Sequence, residues 1–141
     1  MIGVQAAFLA NAAQGDPSGL VSSLGGFIDT LFGPQLPVRQ QVWLVGRLTV
    51  DEEDAIAAHN VVVLVEHQDG TEQVARIDIP LPGATVDRVA QFDHEMPIGV
   101  PLAVLLPLEF RRLGVYLVRI VVDGDEIWSQ RLKIKTTVPQ L

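Results

Sequence analysis

Apolar residues recur at every second position through most of this chain, in runs of strand length, and helical spacing is confined to one short stretch. Turn formers punctuate the runs at Gly15–Gly19, Gly33–Pro37, Asp69–Gly70, Pro80–Gly83, Met96–Pro101 and Asp123–Asp125. The pattern predicts strands at 3–12, 19–28, 38–50, 60–68, 71–79, 86–93, 100–106, 114–122 and 126–136, with 29–37 as a loop. Short strands at this spacing imply an all-β fold, a two-sheet antiparallel sandwich of eight or nine strands. The exception is 51–59, where Asp51 can cap a helical turn. Glu52, Glu53 and Asp54 then fall in its first turn, favourably placed against the helix dipole.

The last third has the clearest alternation. Tyr116, Val118, Ile120 and Val122 share one strand face, and Trp128, Leu132 and Ile134 share one face of the next strand, opposite Ser129, Arg131, Lys133 and Lys135. A plain two-residue turn at Asp123-Gly124 would set Tyr116 opposite Arg131 and mix the two faces. The sequence therefore predicts an odd-length loop or a bulge, with Gly124 in its left-handed position. Tyr116, the sole tyrosine, stands where a tyrosine corner would place a hydroxyl to bond back to nearby backbone.

Two strands break the alternation. Residues 61–65 read Val-Val-Val-Leu-Val and 42–45 read Val-Trp-Leu-Val, so both faces of each are apolar. Whichever set points inward, the other needs cover, from the 29–37 loop, from the 51–59 turn or from another subunit. The candidate interface is Trp43, Val45, Val62 and Leu64, with Trp43 as anchor because aromatic residues dominate interface energetics.

Composition narrows the classes. A chain of 141 residues, 48% hydrophobic and 19% charged, is expected to fold as a single domain over 1–141. Without cysteine it has no disulfide, thiolate nucleophile or sulfur-ligated metal. A net charge of -7 opposes nucleic acid and anionic membranes as partners. The opening residues lack the basic region of a signal peptide, and no stretch reaches the about 20 apolar residues of a membrane span. A cytoplasmic location is the expectation.

Candidate chemistry is sparse. Asp51–Asp54 are four consecutive acids and cannot all face one calcium ion, so they read as a helix start. In the Asp93-His94-Glu95 run, His94 points away from its neighbours on an extended segment, and a metal site would need a distant second ligand, from His59 or His67. Ser18, Ser22, Ser23 and Ser129 lie in no nucleophile elbow, and Gly25-Gly26 lacks the strand-to-helix setting of a phosphate loop. Arg131, Lys133 and Lys135 read as guards of a sheet edge. No catalytic, cofactor or metal residues are assigned.

Over its whole length the chain resembles an uncharacterised family of small actinobacterial β-sandwich proteins. The resemblance is carried by Ala7–Ala13 (AFLANAA), Leu24–Phe27 (LGGF), Gly99–Leu102 (GVPL) and Leu113–Gly124 (LGVYLVRIVVDG). It implies an immunoglobulin-like sandwich and carries over no functional residue. The reading is a non-catalytic interaction or structural module, a homo-oligomer that self-associates through an apolar sheet face. The alternatives are a small-molecule or metal-dependent enzyme with its site at the loop end, and a peripheral membrane or carbohydrate-binding module.

Overall fold

The computed structural model describes residues 1–15, 20–85 and 95–136. Nine strands and one helical turn follow in order: β1 (Ile2–Gly15), β2 (Val21–Gly26), β3 (Thr30–Gly33), β4 (Val38–Val50), α1 (Glu52–Ile56), β5 (His59–His67), β6 (Gln73–Leu81), β7 (Ile98–Phe110), β8 (Gly114–Val122) and β9 (Asp125–Thr136). They form a sandwich of a four-stranded sheet, β2-β1-β4-β7, and a five-stranded sheet, β3-β9-β8-β5-β6. The expected strand at 86–93 lies outside the described residues.

Alternation decides the two inner faces. From β4 come Val42, Leu44 and Leu48, and from β7 Leu102, Leu106 and Phe110. They meet Val61, Val63 and Val65 of β5 and Tyr116, Val118 and Ile120 of β8 in one buried cluster. Asp51 caps α1 as its sequence predicts, Oδ1 accepting from the Asp54 N–H at 2.8 Å. The Tyr116 hydroxyl donates to the Arg112 carbonyl at 2.9 Å, which is the bond of a tyrosine corner.

Two expectations are corrected. Residues 29–37 are not all loop: Thr30–Gly33 form β3, which runs parallel to the C-terminal end of β9, Leu31 beside Ile134. The β8–β9 loop has two residues, not an odd number: Val122 pairs with Asp125, and Asp123 (φ 50) and Gly124 (φ 90) both take the positive φ of a tight primed turn. The register is rescued farther along. Val121 pairs with Glu126 but Ile120 pairs with Trp128, so Ile127 is an extra residue bulged out of β9. That bulge returns Tyr116 to a position opposite Leu132 and puts both apolar sets inside.

Candidate functional site

Inward placement of Val42 and Leu44 sends Trp43 and Val45 to the outer face of the four-stranded sheet. The ladder surrounds them with more apolar groups. Trp43 lies between Ala10 of β1 and Leu105 of β7, and Val45 between Phe8 and Ala103. On β2, Leu24 pairs with Ala12 and Gly26 with Ala10.

The LGGF segment shapes this face. A Cβ on Gly26 would lie 3.0 Å from the Phe8 ring, so glycine leaves room for that ring. Gly25 and Phe27 both adopt φ 63, a conformation that a bulky L-residue rarely takes. Phe27 thereby lays its ring on Phe8, stacked at 4.8 Å between centroids with 25° between planes, while remaining 81% exposed. With Leu24 at 73% and Leu105 at 38%, the face presents Phe27, Leu24, Leu105 and Trp43 together. Its charges are peripheral: Arg47, and the cross-strand pair Arg39–Glu109 at 3.5 Å at the far end of β4.

The other two expected interface residues are elsewhere. Val62 and Leu64 point out of the five-stranded sheet, on the opposite side of the sandwich. Leu64 is flanked by Arg76 and Arg119, and Val62 by Asp78 and Val121. Arg119 pairs with Glu66 and Glu126, both at 2.5 Å, and Arg76 with Asp78 at 3.2 Å. Val62 is 6% exposed in this charged surround. Its cover comes from the chain itself. The four residues therefore make two surfaces, and of the two on the apolar one Val45, 5% exposed, is itself covered while Trp43 is half-buried.

The titratable groups serve the ends of the sandwich. His59 holds Asp123 Oδ2 at 2.5 Å through Nδ1 and the Asp54 carbonyl at 2.6 Å through Nε2, tying β5 to the β8–β9 turn and to α1. The Asp123 hydrogen bond chiefly, and then the Asp54 carbonyl, raise its pKa above the usual imidazole value. Asp123 is held below the usual carboxylate range by the Asn60 N–H and by His59. At the other end Arg112 bonds Asp69, Thr71 and Glu72. The Asp69 pKa is driven far down, first by the two hydrogen bonds from Thr71 and then by Arg112.

A cleft of about 300 Å³ opens where β4, α1, β6 and β7 meet, lined by Val50, Ala55, His59, Leu81, Ile98 and Val100 among others. Its imidazole already spends both nitrogens on protein acceptors, and the Asp54 carboxylate that also lines the space pairs with the Met1 ammonium. Ser22 and Ser23 lie on β2, in the sheet without histidine, and His94 and Ser18 lie outside the described residues. Among the described residues no three His, Asp or Glu side chains converge as metal ligands, and no helix is long and apolar enough to cross a membrane.

Fold and surface together define a two-sheet β-sandwich whose four-stranded sheet exposes an aromatic outer face. The chain belongs to DUF6941, a family of unknown function whose model matches residues 5–135. No curated protein matches it.

Proposed function

We propose that this chain is a non-catalytic interaction or structural module that self-associates through the outer face of its four-stranded sheet. The observation that carries the reading is the joint exposure of Phe27, Leu24 and Leu105 on one sheet face, with Trp43 half-buried among them. Apolar patches of this kind mark interfaces, and aromatic residues supply their anchors. A second copy suits the face on charge. The chain carries -7 overall, yet among the described residues one carboxylate, Glu109, lies on this surface, already paired with Arg39, so the described part of the face sets no acid against acid between two copies.

Two of the four edge strands are guarded: β7 carries Pro101 and Pro107 and β6 carries Pro80, while the short edges β2 and β3 carry no proline. Proline has no N–H for a ladder, so strand addition is disfavoured on the two long edges, which favours association face to face.

An immunoglobulin-like kinship is supported by the strand order. Strands β1-β4-β7 lie side by side in one sheet and β9-β8-β5 in the other, as A-B-E and G-F-C do in such domains, with the tyrosine corner at the start of β8. The inter-sheet disulfide and the buried Trp of antibody domains have no counterpart, for the chain has no Cys and β5 no Trp. The acidic charge supports a reading without nucleic acid or an anionic membrane as partner. Light scattering on the wild type and on Trp43→Glu tests self-association: a multimer that the substitution dissociates supports it, and a monomeric wild type ends it.

A further inference from the structure

We infer that Arg131, Lys133 and Lys135, in a row on the outer face of β9, form a docking surface for an extended acidic polypeptide segment of a partner protein. The row lies on the five-stranded sheet, opposite the self-association face, and does not depend on it. All three side chains are exposed, and no ion-pair or hydrogen-bond partner engages them among the described residues. Five of the other arginines are matched: Arg39, Arg76, Arg111, Arg112 and Arg119 each pair with carboxylates. An acidic chain thus keeps both its lysines, with Arg131, in one unneutralised line.

No carboxylate stands directly opposite the row, and Asp29, just ahead of β3, accepts from the Thr30 hydroxyl at 3.0 Å. Lys133 faces Val115 and Arg131 faces Leu117 across the β8 ladder, while Thr30 and Phe32 of β3 flank Lys133 and Lys135. The role of edge guard expected from the sequence does not fit Lys133 and Lys135, because β3 already covers β9 from Lys133 to Thr136.

Geometry selects the form of the partner. Alternate residues of a strand stand about 6.8 Å apart, so three cations at every second position match acids at every second position of another extended chain. Each match forms a charge-assisted hydrogen bond, and Val115 and Leu117 lie alongside to accept apolar groups. Phosphodiester strands are the weaker fit. Among the described residues Phe32 is the one exposed aromatic bordering the row, whereas single-strand binding relies on successive stacking platforms.

The test uses fluorescence anisotropy with three labelled probes: a peptide with glutamates at alternate positions, a peptide of the same composition with its glutamates contiguous, and a thymidine oligonucleotide. The alternating peptide is expected to bind at low salt at least about tenfold more tightly than either other probe. Binding is expected to weaken at least about tenfold in the triple variant Arg131→Ser, Lys133→Ser, Lys135→Ser, with its thermal midpoint retained, and to persist in Trp43→Glu. No binding, equal binding by the triple variant, equal affinity for the contiguous peptide, or tighter binding of the oligonucleotide each overturns the proposal.

Discussion

Phe27 rests its ring on Phe8 from a left-handed backbone position, 4.8 Å between centroids, and stays largely in solvent. A bulky residue in that conformation costs about 1–2 kcal/mol, and the stack returns about 0.5–1.5 kcal/mol. Fold stability therefore gains little from Phe27, whereas an interface would gain an anchor.

Substituting Phe27→Gly separates these contributions. Glycine relieves the strain, so the urea unfolding free energy of the isolated chain is predicted to stay within about 1 kcal/mol of wild type. Self-association is predicted to weaken at least about tenfold, read as a shift in the concentration midpoint of assembly. A large loss of fold stability with assembly unchanged would make Phe27 a structural residue.

Tyr116→Phe removes the hydroxyl that donates to Arg112 and leaves a carbonyl without its partner. The predicted cost is about 1–3 kcal/mol in urea unfolding, with assembly mass unchanged. A cost under about 0.5 kcal/mol would show that the corner does not hold the β7–β8 crossover.

Deleting Ile127 removes the bulged residue and leaves Ile120 opposite Trp128 and Tyr116 opposite Leu132 across the same two-residue turn, so the deletion variant is predicted to fold. Deleting Gln130 as well leaves no bulge to absorb the loss and sets Lys133 opposite Tyr116, turning Leu132 and Ile134 toward solvent, so the double deletion is predicted to lose its cooperative melt. A folded single deletion with an unfolded double deletion supports the register account, and an unfolded single deletion refutes it.

His59 faces a carboxylate on one side and a carbonyl on the other, so the imidazolium is the form that satisfies both. Its folded pKa is raised above 6.5, so its stabilisation is complete below that pH and is lost as pH rises through the raised value. Asp123 has a lowered pKa, so its contribution is present above pH 3.8 and is lost on acidification through the lowered value. The stability gap between wild type and His59→Gln is predicted to be widest between these limits and to narrow on the alkaline side. Urea midpoints across pH check this, and a gap that stays constant through the alkaline range contradicts it.

Local signals in the sequence were sufficient for much of the architecture. The Asp51 cap, the alternation of β8 and β9 and the position of Tyr116 each depend on neighbours within a few residues, and each appears in the structure. The conflict between the two-residue turn and the apolar faces was also legible. Its resolution at Ile127 was not, because a bulge fits equally well at several points of a strand. Strand β3 was missed because four residues ahead of Pro34 carry little periodicity and pair with a strand about a hundred positions away. Trp43 and Val62 looked alike as apolar residues on doubly apolar strands. Only pairing separates them, since Trp43 gains Leu105 and Ala10 as neighbours whereas Val62 lies among paired charges. The Phe8–Phe27 stack had one signal, two glycines ahead of an aromatic, and reading it required knowing that β2 folds back on β1.

The most direct test of self-association through the four-stranded sheet is an isotope-filtered nuclear Overhauser experiment on a mixture of labelled and unlabelled chains. The account predicts intermolecular cross-peaks linking Trp43, Phe27, Leu24 and Leu105 of one copy to the same residues of another. Cross-peaks confined to Val62, Leu64 and the β5–β8 face, or none at concentrations where scattering shows assembly, would contradict it.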